Sequence, residues 1–461
     1  MKNHINTIHN SIKTGTYFIL LLTAMGLSAC KKYLDIRPDK QQVVPSSLQD
    51  LQALLDNATV MNHLFPASGE AASDNYYLTP IDYNALQLVT DQTIYTWQKD
   101  GTVVASQWLS PYQVVYYANQ VLESLQTIAP VPNGQSEQIK GAALFFRGYA
   151  FFQVASLFAK PYNAQTAATD LGIPLRLTAD FNPKSGRPNV QQTYDQILTD
   201  FKQAASLLPL ASSIATRPNR IAAYAALART YVAMGQYTQA GLYADSCLQL
   251  QPPLLDYNTL STTAAIPISR FNKETIFYAA SGGSLLLVPS RCKVDSALYS
   301  SYTLNDLRKS IFFKSSGNGT HAFKGNYDGT ASSTIFSGLA TDEIYLIRAE
   351  CYARAGQTGN ALNDLNTLLQ MRYKNGTFQP LQAIDAATAL ALILAERRKE
   401  LIFRGIRWTD LRRLNQEAQY QTTLTRNLAQ TTYQLPPNDL RYEFLIPQEV
   451  ITTSGIEQNA R

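Results

Sequence analysis

Two separated stretches of the chain carry the residue types that a hydroxyl-rich ligand demands. Asp74, Asn75, Tyr76 and Tyr77 stand together in Ser73-Asp-Asn-Tyr-Tyr77, and Trp97 follows in Tyr95-Thr-Trp-Gln-Lys-Asp-Gly101. A second stretch holds Arg291, Tyr299 and Tyr302, with His321 and Tyr327 beyond them. Sugar rings present apolar C–H faces that stack on aromatic side chains, and rims of hydroxyls that pair with carboxylate, amide or guanidinium groups. Neither stretch has the stripe of a core-facing helix, so these side chains are expected on loops, open to solvent. In that reading Tyr76, Tyr77 and Trp97 stack on rings while Asp74 and Asn75 take hydroxyl hydrogen bonds. Trp108 sits beside Tyr112 at a helix start and is expected in the core.

Other chemistry finds little material. There is no Gly-x-Ser-x-Gly elbow, no His-Glu-x-x-His pair and no phosphate-binding glycine loop. Of four histidines, only His63 and His321 lie beyond residue 30, too few for a metal centre or a histidine-based triad. No pair of carboxylates is marked out for glycoside hydrolysis. Asn326-Tyr-Asp-Gly329 is far from a twelve-residue calcium loop and reads as a turn. The expectation is a binding protein, with no catalytic residue, metal or cofactor. Its net charge of +5, from 39 Lys+Arg against 34 Asp+Glu in 461 residues, is a weak field that excludes a dedicated nucleic-acid binder.

The N-terminus carries a different kind of chemistry. Lys2 and Lys13 precede an eleven-residue apolar run, Tyr17–Leu27, which ends in Leu27-Ser-Ala-Cys30. The run is well short of the roughly 20 residues that span a bilayer as a helix. Small residues before a cysteine resemble a bacterial lipobox, so residues 1–29 read as a lipoprotein signal peptide and Cys30 as the thiol that is lipidated. Several acyl chains on one residue anchor stably where a single chain binds marginally. Residues 30–44, with Pro38 blocking a helix, read as the tether. The other cysteines, Cys247, Cys292 and Cys351, are odd in number and match no zinc spacing. Cys247 and Cys351 fall on apolar helical stripes, as small core hydrophobes.

These groups need elements to position them, and the pattern is mainly α. Ser46-Ser47 offers a cap before Leu48, Leu51, Leu54 and Leu55, and helical patterns run near 110–128, 137–158 and 193–208. Two later helix pairs share one spacing. Ala228 to Ala240 is twelve residues with a turn at Gly235, and Ala349 to Ala361 is twelve with a turn at Gly356. That is tetratricopeptide-like: small residues let paired helices approach, and tyrosines such as Tyr224 and Tyr231 fill the grooves. Residues 253–340 are rich in Ser, Thr, Gly and Asn, and read as small strands and loops inserted into the helical scaffold. Thr275–Ala279 and Ser284–Val288 are the expected strands. The domain plan is thus one globular unit, 45–461, with scaffold at 45–252 and 341–461 and the insert at 253–340.

The C-terminal third carries a family likeness. Asp342-Glu-Ile-Tyr-Leu-Ile-Arg-Ala-Glu-Cys-Tyr-Ala-Arg-Ala-Gly356 with Ala361–Asn366, the run Glu396-Arg-Arg-Lys-Glu-Leu-Ile-Phe-Arg-Gly-Ile-Arg-Trp-Thr-Asp-Leu-Arg-Arg413, and Phe444-Leu-Ile-Pro-Gln-Glu449 resemble the SusD/RagB family. The lipobox, Cys30-Lys-Lys-Tyr-Leu-Asp35 and Ser73–Tyr77 fit as well. The resemblance implies a lipoprotein of the Bacteroidota outer membrane, facing the exterior, with a tetratricopeptide-like scaffold. It implies capture of glycans, or in some members peptides, for a SusC-like TonB-dependent transporter. One departure is Lys31-Lys32, where acidic residues commonly mark export to the outer face. A helical-repeat scaffold of the envelope that binds only proteins is the remaining alternative. The basic run 396–413 reads as fold-determining, with Glu400 and Arg404 paired at i,i+4 and Leu401, Ile402 and Trp408 in the core.

Overall fold

Several helices begin where the sequence supplies a side-chain cap, and the first shows how. In the computed structural model, which describes residues 45–461 apart from Pro130 and Asn133, helix α1 is Leu48–Leu55. Ser47 Oγ accepts from Asp50 N at 3.2 Å, and the Asp50 carboxylate accepts from Ser47 N at 3.0 Å. This reciprocal box satisfies two of the helix's orphan donors and turns Leu48, Leu51 and Leu55 inward. The signal segment, Cys30 and the tether lie outside the described residues.

Three long helices follow: α2 (Ser106–Ser124), α3 (Gln135–Phe158) and α4 (Val190–Leu207). Helix α3 is long and apolar enough to cross a membrane, yet nearly all of it is buried within the fold. Buried Arg147 on α3 joins all three, through Asp200 of α4 at 2.7 Å and Asn119 of α2 at 3.0 Å. Trp108 packs edge-on to Phe158 with ring centres 5.0 Å apart, in the core as expected.

The two repeats form as the spacing predicts. Helices α5 (Arg220–Ala233) and α6 (Tyr237–Leu248) make one pair, α7 (Thr341–Arg354) and α8 (Thr358–Gln370) the other. Ala228, Ala240, Ala349 and Ala361 are fully buried. Gly235 and Gly356 turn the chain at φ +69° and +77°, a region that costs only glycine nothing. Helix α6 packs directly on α7, so the copies stack although the insert separates them in sequence. The approach is close: a Cβ on Gly241 would stand 3.1 Å from Cys351 Cβ.

Small antiparallel pairs supply the rest. Strand β1 (Tyr76–Tyr77) pairs with β3 (Lys293–Val294), β2 (Thr275–Phe277) with β6 (Leu339–Ala340), and β4 (Phe313–Ser315) with β5 (His321–Phe323). A hairpin, β7 (Leu424–Leu428) with β8 (Thr431–Leu435), lies in the C-terminal scaffold. The fold is mainly α with small-strand insertions. The expected strand at Ser284–Val288 is instead a 3₁₀ turn, Leu285–Leu287. Three consecutive leucines have no alternation to sort between two faces, and the Ser284 hydroxyl accepts from Leu286 N, starting the turn.

The basic run also departs from expectation. It is two helices, α9 (Ala386–Glu400) and α10 (Arg407–Leu414), separated by a reversal with Phe403 at φ +54° and Gly405 at +70°. The reversal carries Arg404 away from α9, so the Glu400–Arg404 pair does not form. Arg404 reaches Asp342 at 3.0 Å, and Glu400 receives Arg308 at 2.9 Å and Arg372 at 2.7 Å. Arg372 also holds Glu274 at 2.8 Å, and Arg308 holds Asp306 and Glu396, each at 2.7 Å. The insert thereby meets α9 and the turn after α8 through buried charges. Breaking such a network from one side leaves an uncompensated charge in the interior. Arg372→Met is expected to lower unfolding free energy by about 3–5 kcal/mol, read by denaturant titration; a change under about 1 kcal/mol would show the network to be solvated and slack.

Candidate functional site

The β1–β3 ladder brings the two candidate stretches together. Tyr76 faces Val294, Tyr77 faces Lys293, and Asp295 N donates to Asn75 O at 2.9 Å. The side chains, however, turn inward. Trp97 is 4% exposed and Tyr76 3%, with Trp97 Nε1 donating to Ala72 O at 3.0 Å and Tyr76 Oη to Ala71 O at 2.6 Å. Trp97 sits at φ +50°, at the end of the short helix Val89–Tyr95. Tyr302 is fully buried and donates to Lys399 O at 2.7 Å. These three therefore do not form the solvent-facing platform expected of them.

Tyr302 lies against Arg308 and Lys399, 5.6 and 5.1 Å from its ring centre; for Tyr76 and Trp97 the cause is Arg426, an inward position on alternating strand β7. Its guanidinium lies over the rings of Tyr95, Trp97 and Tyr76, at 3.8, 4.5 and 5.2 Å from their centres. It also donates to the carbonyls of Ala71, Ser73 and Tyr95. Desolvated cation–π contacts of this kind draw aromatic rings into a core.

Asp74 and Asn75 are likewise engaged. The Asp74 carboxylate takes two bonds from Arg407 at 2.7 and 2.8 Å and lies 3.2 Å from Arg398. Burial works against its charge, but these guanidinium groups hold it well below the usual carboxylate range. Asn75 is 1% exposed and donates to Glu70 at 2.8 Å. Glu70 is buried too, and that desolvation pushes its carboxyl up to about 7 despite bonds from Asn75, Gly405 N and Ser73.

Tyr77, Arg291 and Tyr299 remain half-exposed. Tyr299 stacks on His321 with ring centres 3.5 Å apart and has Lys309 Nζ 4.9 Å from its ring centre. Arg291 donates to Leu285 O at 3.1 Å, which places it at the rim of a cleft. That cleft, about 90 Å³, lies between helix Val89–Tyr95, the start of α2 and the turn Leu285–Leu287. Leu88, Val104 and Leu285 form exposed apolar walls.

Three polar groups in the cleft lack partners among the described residues: Thr90 Oγ1, the Asp91 carboxylate and the Gln107 amide nitrogen. The Asp91 carboxylate makes no hydrogen bond; burial raises its pKa, while the positive charge of Arg291 opposes the rise. Gln107 Oε1 accepts from Ala67 N, Ser68 N and Ser68 Oγ at 2.8, 3.0 and 2.8 Å. Those three donors fix the amide orientation, leaving Nε2 free to donate elsewhere. The cleft thus offers a carboxylate acceptor, an amide donor and a guanidinium above an aliphatic floor. Asp91 and Gln107 were not legible beforehand, because each sits in a helical stretch without a distinguishing motif. No cluster of three or more metal-ligating side chains occurs among the described residues.

Residues 32–232 match a SusD-like family model described as starch-binding and associating with the outer membrane, and residues 320–453 match the model of the SusD family. No curated protein sequence matches the chain. Among solved structures, a SusD superfamily protein of Bacteroides thetaiotaomicron is similar at 21% identity and TM-score 0.73, covering 90% of this chain and 100% of its own. One from Bacteroides fragilis gives 19% and 0.72, covering 89% and 99%. A SusD-like carbohydrate binding protein of Bacteroides vulgatus gives 18% and 0.67, covering 89% and 97%. At these identities the likeness is one of fold.

Two outcomes follow from the geometry. Trp97→Ala removes a buried indole and should cost about 3–5 kcal/mol of stability, measured by thermal and denaturant melts; an unchanged melting temperature would mean that the indole is exposed. For Glu70, the folded carboxyl near 7 exceeds its ordinary 4.5. Between those pH values the folded state keeps a proton that the unfolded chain has released, so stability falls as pH rises through the window, by roughly 3 kcal/mol. In melts from pH 4.5 to 7, Glu70→Gln should flatten this decline; an identical slope would refute the assignment.

Proposed function

The chain belongs to the SusD/RagB family, and from that premise we propose that it is a substrate-binding lipoprotein of the outer membrane that captures glycans. In this reading Cys30 carries the lipid, and the bound oligosaccharide passes to a SusC-like TonB-dependent transporter. The protein binds and does no chemistry on its ligand. The observation that carries the assignment is the loop cleft, where the unpartnered Asp91 carboxylate and the free Gln107 Nε2 stand over apolar walls. A sugar hydroxyl donates to Asp91 while a neighbouring oxygen accepts from Gln107 Nε2 or Arg291, and the C–H face of the ring rests on Leu88 and Leu285. Tyr77 and Tyr299 supply aromatic surface along the same face, whereas Asp74, Asn75, Tyr76, Trp97 and Tyr302 brace the loops from beneath.

A second reading has its own support. The walls are aliphatic, and all three tryptophans, Trp97, Trp108 and Trp408, are buried. Such a cleft also suits the apolar side chains of a peptide.

Calorimetric titration against starch oligosaccharides, other glycans and a mixed peptide panel separates the two. Hydrogen bonds to charged groups contribute about 1.5–3 kcal/mol, so Asp91→Ala should weaken glycan binding about tenfold or more. Because Asp91 has no partner to lose, its melting temperature should stay level or rise slightly. Binding of peptides and no glycan would establish the second reading, and unchanged affinity in Asp91→Ala and Arg291→Ala would remove the cleft from either.

A further inference from the structure

A second cleft, about 240 Å³, opens where the end of α3, the end of α10 and the turn at 438–443 meet. Its inner wall holds Glu443, 7% exposed, whose carboxylate makes no hydrogen bond and no ion pair within the described residues. Neither oxygen is sealed off, since the unpartnered polar atoms that no solvent reaches belong to other side chains. Burial raises the Glu443 carboxyl, and the charges of Arg412, Lys160 and Arg461 act against that rise without touching it. Water from the cleft is thus the carboxylate's only available neighbour, and a half-desolvated carboxylate gains from a donor that sits against it. A ligand donor supplies what the protein does not.

The surroundings narrow the ligand. Arg412 gives its two Nη groups to the carbonyls of Ser156 and Ala159 and has no carboxylate partner. Lys160 pairs with Asp170 at 2.7 Å, and Asp439 with Arg441 at 2.8 Å. The lining holds Lys160 and Arg412 against Asp170, Asp439 and Glu443, and Arg441 and Arg461 stand just behind it, so charges of both signs interleave and the cleft favours no strongly charged ligand. Thr166 at the rim adds a hydroxyl without a protein partner, and Asn438, fixed at φ +61° by its bond to Asn415 O, adds a free amide oxygen. Two free acceptors, Glu443 and Asn438 Oδ1, and one hydroxyl that can donate or accept face a space smaller than the roughly 300–1,000 Å³ of pockets for drug-sized molecules.

We propose that the Glu443 cleft is a second binding site, for one neutral hydroxylated ring of monosaccharide size. A ring hydroxyl donates to Glu443, and its neighbours meet Thr166 and Asn438. The site stands apart from the loop cleft and does not depend on what that cleft binds.

Saturation-transfer NMR and calorimetry on the full chain, with glucose, galactose, mannose and N-acetylglucosamine, provide the test. Wild type should bind at least one of them. Glu443→Gln should weaken that binding about tenfold with an equal or higher melting temperature, and Thr166→Val, at the exposed rim, should weaken it several-fold. In an Asp91→Ala background the Glu443-dependent monosaccharide binding should persist. No binding of any of the four sugars by wild type, or equal affinity in Glu443→Gln and Thr166→Val, overturns the proposal. Loss of monosaccharide binding in Asp91→Ala alone also overturns it and assigns the sugar to the loop cleft. Failure of oligosaccharide binding at the loop cleft, with Glu443-dependent monosaccharide binding intact, counts against the first reading and supports this one.

Discussion

The chain of buried charges from Glu274 through Arg372, Glu400 and Arg308 to Asp306 is the constraint on which the rest of the structure depends. All five side chains are fully buried. Three belong to the insert and two to the C-terminal scaffold. Desolvating so many ions gains little net stability, but any arrangement that leaves one of them alone is heavily penalised. The chain therefore selects one docking of the insert over others that would bury similar apolar area. Arg229–Glu343 and Arg413–Glu350 do the same between helices, at 2.5 and 2.6 Å.

The loop face inherits its shape from this. With the insert fixed, β3 lies against β1, and the turn Leu285–Leu287 comes to rest beside helix Val89–Tyr95. Beneath that face Arg426 and Arg407 take up the aromatic and acidic groups of the 74–97 segment. What stays free is set by subtraction: Thr90 Oγ1, Asp91, Gln107 Nε2 and Arg291 are the groups that the interior has not claimed.

Local periodicity explains how much of this was legible beforehand. The capping box at Ser47, the paired alanines of the two repeats and the helices around 110–208 each depend on residues within a turn or two, so sequence spacing carries them. Strand Thr275–Phe277 was legible for the same reason. The inward turn of Tyr76 and Trp97 was not, because its cause lies far along the chain: Arg426 is 355 residues from its partner Ala71. Likewise Glu400 and Arg404 have the spacing of a helical pair, but the reversal at Phe403–Gly405 and the distant Arg308, Arg372 and Asp342 override it. The expectation that Tyr76, Trp97 and Tyr302 face solvent failed where distant charges drew those rings inward.

The clamp at the mouth of the insert has a consequence for how such proteins diversify. Within it strands β2 and β6 pair, and Thr341 N donates to Glu274 O at 3.0 Å, so residues 278–338 leave and rejoin the fold at one point. Lengthening a loop between fixed ends costs only about 0.6 kcal/mol per doubling. The region between them is thus a cassette: its length and surface can be exchanged while α6 and α7 stay stacked. The exchange carries one toll, since any incoming cassette must bring a cation to the place of Arg308, or Glu396 and Glu400 are left facing each other without one of their counter-ions.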